Sequence, residues 1–164
     1  MSGNGSDESG IMTSAEAAEN AVLPDAGCVQ ADDNAAPGVE AKPLPAEVAA
    51  KPVEQKSPAE WAYERIILYI QNFEEQLDPE EEVVMGHVGG DAGSMRIQGM
   101  GFFAPDLVTF YGVDEHGLKT QMVQHVSQLT VMLRAMPKPK EQIKAVRIGF
   151  RLGEGLKKSA AKAG

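Results

Sequence analysis

The chain has 164 residues, which is enough for one ordinary domain and too few for two. Its formal net charge is −9, with 24 acidic and 15 basic residues, so it repels a phosphate backbone at long range. That balance argues against non-specific nucleic-acid binding. The single cysteine, Cys28, excludes a disulfide framework and a cysteine-based zinc site.

Charge is distributed unevenly along the chain. Residues 1–57 hold ten acids and three bases, residues 58–133 hold twelve acids and three bases, and residues 134–164 hold two acids and nine bases. The basic C-terminal block is the one part that could contact phosphate. It could instead fold back on the acidic N-terminal part, and on charge alone we favour this self-neutralisation.

The sequence contains no membrane-spanning stretch, since no window approaches the roughly 18 apolar residues that cross a bilayer. Its first ten residues also lack the basic and apolar regions of a secretory signal. We therefore predict a cytoplasmic protein with no membrane partner.

Three regions follow one another in chain order. Residues 1–56 are rich in Ala, Pro, Gly, Glu and Asp and sustain no apolar period. Such a segment cannot bury enough apolar surface to offset its ordering entropy, about 1–2 kcal/mol per residue. We predict a disordered acidic arm over residues 1–56, a helix-capped small β-barrel domain over 57–152 and a basic flexible tail over 153–164.

The predicted domain begins with a strongly capped helix. Ser57, Pro58 and Glu60 form a capping box with proline at the first helical position, so the Ser57 hydroxyl is expected to accept from the Glu60 amide. Apolar residues then recur every three or four positions, which is the spacing of one buried helical stripe. Asp78 precedes Pro79 and is expected to end the helix.

After Pro79 the apolar period changes to two, which indicates β-strands. Alternation predicts strands around Val84, from Met95 to Phe102, from Leu107 to Val113, from Leu118 to Gln124 and from Leu129 to Ala135. A sixth strand is predicted over residues 146–152, where Val, Ile, Phe and Leu alternate with polar residues. Gly99 and Gly101 suit a strand that bends sharply. The predicted fold class is α+β: an N-terminal helix followed by a small, strongly bent, five- to six-stranded antiparallel sheet or barrel.

Particular segments of these strands resemble the Sm-like fold of the bacterial RNA chaperone family. Residues 94–99, Ser-Met-Arg-Ile-Gln-Gly, are similar to the second strand of that family, and residues 106–110, Asp-Leu-Val-Thr-Phe, to its third. Residues 121–127 resemble the segment before its fifth strand, which carries a lysine–histidine pair. The domain as a whole also resembles an uncharacterised family of small bacterial proteins.

The Sm-like resemblance implies a hexameric ring and two RNA-binding surfaces. His125 matches the histidine of the uridine-binding pore, and Gln124 stands where the family has lysine. Arg96 and Gln98 match the basic residue and glutamine that help to bind adenine-rich RNA on the other face. These four residues are the predicted RNA- or nucleotide-binding site.

Each of these residues also has a structural interpretation. A histidine at a strand end commonly hydrogen-bonds a turn, and Arg96 and Gln98 alternate with core positions as solvent-facing residues do. The helix departs from the family because it carries Glu60, Glu64, Glu74 and Glu75 where basic and glutamine residues are usual. That acidity disfavours RNA, since phosphate contacts supply much of the affinity for it.

The sequence predicts no catalytic or metal site. Asp114, Glu115, His116 and Gly117 are accounted for by a hairpin turn, and His87 and His116 are too isolated to bind a metal. No cofactor is implied. Exposed aromatic residues favour a subunit interface, for which the candidates are Phe102, Phe110 and Tyr111. We therefore expect a non-enzymatic, homo-oligomeric interaction or scaffold module that could also engage a protein partner. The alternative is an RNA- or nucleotide-binding Sm-like protein.

Overall fold

A computed structural model describes residues 25–86 and 93–163. The predictions for residues 1–24, for His87 and Val88, for the glycine loop from Gly89 to Ala92 and for Gly164 lie outside the described residues. No helix in the described ranges is both long enough and apolar enough to cross a membrane.

Three helices and five strands make up the fold. Helix α1 spans Ala46–Ala49, α2 spans Pro58–Glu74, and α3 spans Ile148–Ala163. The strands are β1 (Glu81–Gly86), β2 (Ser94–Phe103), β3 (Leu107–Asp114), β4 (Lys119–His125) and β5 (Met132–Pro137). Short 3₁₀ turns occupy Val39–Ala41, Val53–Gln55 and Val126–Gln128.

The predicted cap begins α2. Ser57 Oγ accepts a hydrogen bond from the backbone amide of Glu60 at 3.1 Å, which satisfies one of the free amides of the first turn. The Glu60 carboxylate does not complete the capping box, because it pairs with Lys51 at 2.9 Å. The helix ends at Glu74, four residues before the predicted stop at Asp78.

The five strands form one antiparallel sheet in the order β4-β3-β2-β1-β5, and the sheet does not close into a barrel. Strand β1 pairs along its whole length with β5 but shares only two registered residue pairs with β2, Met85 with Met95 and Gly86 with Ser94. Strand β2 also shifts register between Ile97 and Gly99. A bulge of this kind locally disrupts the pairing of β2 with β3.

The core has two parts, with α2 between them. One cluster joins α2 to the sheet and contains Ile70, Met85, Met95, Val108 and Phe110 among its buried members. The other joins α2 to the segments at the two ends of the described chain and consists of Val48, Ile67, Leu68 and Leu156. Helix α2 therefore buries residues on two faces, whereas the sequence indicated a single stripe.

The predicted sixth strand is wrong, because residues from Ile148 onward form α3. Its first turn is capped from a distant residue: the Glu74 carboxylate accepts from the amides of Gly149 at 2.9 Å and Phe150 at 3.1 Å. The predicted flexible tail also differs from the structure, since residues 153–163 continue this helix. Leu156 lies within that range and is buried in the second cluster.

The described part of the predicted disordered arm, residues 25–56, packs on the domain. Val48 is completely buried against α2 and α3. The three lysines of this segment each pair with a glutamate of α2 or with the glutamate that directly follows it, at 2.9 Å for Lys51–Glu60, 3.1 Å for Lys56–Glu64 and 3.4 Å for Lys42–Glu75. Composition predicted disorder for this segment. The buried Val48 and the three ion pairs nevertheless keep it packed on the domain.

Part of the acidity that the sequence places on α2 is buried. Glu64 and Glu74 are buried, the first against Lys56 and the second as the cap of α3. Burial raises the pKa of Glu64 above its ordinary value, although the neighbouring Lys56 opposes this shift. Two carboxylates of α2 therefore bind other parts of the chain inside the protein and do not face solvent.

Candidate interaction surface

Arg96 joins three strands. Its Nη1 lies 2.6 Å from Glu82 Oε1, and its Nη2 donates to the carbonyl oxygen of Pro137 at 3.1 Å. The same Glu82 carboxylate accepts from Gln142 Nε2 at 2.8 Å and from the Val146 amide at 2.6 Å. Arg96 therefore neutralises a buried charge where β1 and β2 separate.

His125 caps the 3₁₀ turn that follows β4. Its Nδ1 accepts from the Ser127 amide at 3.1 Å, so Nε2 carries the proton and donates to Asp106 Oδ2 at 3.1 Å. Ser127 Oγ lies 2.8 Å from Nδ1, which places hydroxyl, imidazole and carboxylate in a row. The Nδ1 lone pair already accepts a hydrogen bond from the amide of Ser127. The imidazole of His125 therefore has no free nitrogen that could take a proton from the Ser127 hydroxyl.

The four predicted RNA-binding residues do not form one site within a single copy. Arg96 is opposite Val113 and His125 is opposite Leu107, so the two lie at opposite ends of β3, about 20 Å apart. Gln98 is exposed at the β2 bulge, and Gln124 Oε1 is buried without a hydrogen-bond partner among the described residues. Their RNA-binding role stays a prediction.

The sheet face that points away from α2 carries several exposed apolar side chains. Register places Gly99, Tyr111 and Gln121 in one cross-strand row, Gly101, Thr109 and Val123 in the next, and Phe103, Leu107 and His125 in the third. Phe103 is 75% exposed, Tyr111 45% and Val123 56%. We call this surface, defined by Phe103, Tyr111 and Val123, the outer apolar face.

Two glycines of β2 lie beneath Tyr111 on this face. A Cβ atom at Gly99 or Gly101 would lie 3.8 Å from the Tyr111 ring, so the ring covers the part of β2 that has no side chains. This arrangement protects glycine backbone in a strand with an aromatic neighbour. The Tyr111 ring therefore packs on the backbone of the two glycines that the sequence predicted to bend β2.

The three predicted interface residues take different positions. Tyr111 lies on the outer apolar face, whereas Phe102 points to the other side, its ring centroid 5.1 Å from that of Tyr63 on α2. Phe110 is completely buried, so its predicted interface role is wrong: alternation turns it toward α2. Val123 was missed, although its alternation with Met122 in β4 signals an outward side chain.

Both edges of the sheet are open. Within the described ranges, β4 pairs only with β3 and β5 only with β1, so each leaves one row of backbone amides and carbonyls without a strand partner. Such an edge is a ready template for pairing with another chain. Val123 lies on β4, so the outer apolar face is continuous with one of these edges.

A separate cleft of about 1000 Å³ lies between residues 25–44, α2 and the approach to β5. Its walls include Val39, Ile66 and Leu133, and at its rim the Tyr69 hydroxyl donates to Glu40. This bond lowers the pKa of Glu40 and is the main reason that the pKa of Tyr69 rises to about 12. The charges around the cleft are mixed, with Glu40, Lys42 and Arg65 all present, so they indicate no ligand class.

Among residues 25–86 and 93–163, no group of three or more histidine, cysteine or carboxylate side chains could hold a metal ion. No protein-family model, curated protein or solved structure matches this chain.

Proposed function

We propose that this protein is a non-enzymatic interaction module that self-associates through the outer apolar face and the adjoining edge of β4. The observation that carries the proposal is the three-strand register, which places Phe103, Tyr111 and Val123 on one exposed surface. Exposed apolar side chains grouped on one face favour an interaction site in a soluble protein. Aromatic residues at their centre are typical of interface cores.

The open edges support association between identical copies. A second copy could pair one of its edges with β4 or β5 and at the same time cover the apolar side chains beside it. Main-chain hydrogen bonds would supply affinity, and the side chains of the outer apolar face would set the register. This is the arrangement that a ring or dimer of Sm-like subunits would need, and the Sm-like assignment is part of the proposal.

The test is the assembly state of the full chain. We expect light scattering after size exclusion, or native mass spectrometry, to give a defined oligomer at micromolar concentration. Val123→Lys should shift it to monomer, because a buried unpaired ammonium is strongly unfavourable. Val29→Lys makes the same substitution at an exposed position outside the face and should leave the assembly intact. A monomeric wild-type chain at every concentration would overturn the proposal.

RNA or nucleotide binding is the second candidate, and the exposed Tyr111 ring is the observation that favours it. An aromatic ring on an open sheet can stack on a base. The pairing of Arg96 with Glu82 counts against it, because that charge is already neutralised. Titration of the full chain with A-rich and U-rich oligonucleotides at low salt separates the two candidates. Binding that Tyr111→Ala abolishes while the oligomer persists would establish the RNA function.

A further inference from the structure

Several cations of the basic C-terminal block have no carboxylate partner among the residues that the structure describes. The lysines of residues 25–56 all pair with glutamates, but in the described part of the C-terminal block carboxylate partners are found only for Lys138, with Glu80, and for Lys157, with Glu154. Lys140, Lys144, Arg151 and Lys158 are exposed and form no ion pair with a described carboxylate. The expected self-neutralisation therefore does not extend to these cations within the described chain.

Helix α3 directs its charges to one side. Gly149, Gly153 and Leu156 are buried on one face. At 3.6 residues per turn, Arg151 and Lys158 lie opposite this face, and Phe150 and Lys157 lie at one side of it, so the four form one exposed arc. The only carboxylate between them is Glu154, so this face carries net positive charge.

Two large exposed apolar side chains are close in sequence to these cations and to the exposed Glu141. Phe150 is 66% exposed on the outer face of α3, and Ile143 is 92% exposed in the segment that leads to the helix. Lys140 and Lys144 flank Ile143 in the sequence. Cationic surfaces with protruding aliphatic and aromatic residues bind the boundary between lipid headgroups and acyl chains.

We propose that the exposed face of α3, together with residues 140–144, binds an anionic lipid surface. Lysine ammonium groups would contact anionic headgroups as point charges, and Phe150 and Ile143 would insert below them. An aliphatic residue such as Ile143 cannot stack on a base, which favours lipid over nucleic acid. The acidic remainder of the chain does not prevent contact, because charges more than about 8–10 Å away are largely screened at physiological salt. The proposal departs from the predicted absence of a membrane partner, which is based on the lack of a spanning stretch and of a secretory signal and does not bear on a peripheral contact.

The experiment is sedimentation of the full chain with two sets of vesicles. One set is phosphatidylcholine alone, and the other contains roughly a third phosphatidylserine, which gives an anionic surface. We expect binding to the second set only, with affinity falling as salt rises. Lys158→Glu should weaken this binding about tenfold, since each basic residue near such a surface contributes substantially. Phe150→Ser should weaken it about fivefold.

Lys119→Glu is the matched control, because it makes the same change in net charge at an exposed position on β4. It should leave vesicle binding unchanged. Circular dichroism of each variant verifies that α3 is retained. Absence of binding to anionic vesicles at low salt would overturn the proposal, as would equal losses in Lys158→Glu and Lys119→Glu. Oligonucleotide binding by this face without vesicle binding would also overturn it. The assembly state of each variant is measured separately, so this outcome is independent of the self-association test.

Discussion

Three of the glutamates that the structure describes are buried, and two of them, Glu74 and Glu82, connect parts of the chain that are distant in sequence. Moving a carboxylate out of water is costly unless an opposite charge or hydrogen-bond donors compensate for the lost hydration. A buried glutamate is therefore tolerated only where its partners have fixed positions. Glu64 meets Lys56, Glu74 meets the first amides of α3, and Glu82 meets both Arg96 and the segment before α3. At the scale of single residues, these carboxylates define how the segments around α2 and the sheet are joined.

Glu74→Ala tests the most local of these connections. The substitution leaves the amides of Gly149 and Phe150 without their acceptor, and loss of a helix cap typically costs about 0.5–2 kcal/mol. We expect the free energy of unfolding in urea to fall by about 1–2 kcal/mol. The neighbouring Glu75→Ala is the control, because its exposed side chain makes only the surface pair with Lys42 and should change stability by less than about 0.5 kcal/mol. Equal effects of the two substitutions would contradict the capping role.

At the scale of elements, α2 and α3 approach each other through glycines. A Cβ atom at Gly149 would lie 3.0 Å from the Gln71 Cα atom and 3.2 Å from its backbone nitrogen, so a side chain there would press on the backbone of α2. Gly155 lies on the same helix with nothing within 4 Å of such an atom. One helix thus contains a glycine required by packing and another that only reduces helix propensity.

Alanine substitutions at these two positions should therefore have opposite effects. Gly149→Ala should destabilise the protein by about 1–2 kcal/mol, because overpacking outweighs the gain in propensity. Gly155→Ala should stabilise it by roughly 0.5–1 kcal/mol through propensity alone. Urea unfolding of both variants is the measurement. A stabilising Gly149→Ala would show that α3 does not pack closely on Gln71.

The elements that the sequence predicted correctly are those fixed by neighbouring residues. The β3–β4 hairpin is one: Asp114 Oδ1 accepts from the amides of His116 at 2.8 Å and Leu118 at 2.9 Å, and Gly117 adopts a φ of 80°. All of these groups lie within five residues. The cap of α2 at Ser57 is equally local.

Helix α3 could not be predicted in the same way. Val146, Ile148, Phe150 and Leu152 alternate as a strand would, yet Ile148, Leu152 and Leu156 equally fit a helical stripe. The groups that decide between them are the Glu74 cap and the backbone of Gln71, which are more than seventy residues away in the chain. The candidate surface divides similarly. Alternation offered Phe110 and Tyr111 alike as interface candidates, and only the observed burial and register turn Phe110 inward and join Tyr111 to Val123 and Phe103.

At the scale of the whole molecule, residues 25–56 and α3 close the second core cluster from opposite ends of the chain. Val48, on α1, packs against Ile67 and Leu68 of α2 and against Leu156 of α3. Helix α1 is only four residues long and could not hold its conformation alone, since isolated helices of this length are unstable in water. Its position therefore depends on Val48 and on the lysine–glutamate pairs around it.

Val48→Ala tests whether residues 25–56 pack on the domain or form a disordered arm. If residues 25–56 belonged to a disordered arm, removing two methyl groups from Val48 would leave stability unchanged. In the packed arrangement Val48 is 0% exposed, so the truncation opens a cavity against Ile67 and Leu156 and should lower the free energy of unfolding by about 2 kcal/mol. Val29→Ala is the matched control: Val29 belongs to the same segment but is 98% exposed, so its change should stay within about 0.5 kcal/mol. Both substitutions remove the same atoms from the same segment, so only burial distinguishes them. Equal unfolding midpoints for the two variants would contradict the packed arrangement and support the disordered arm that composition predicts.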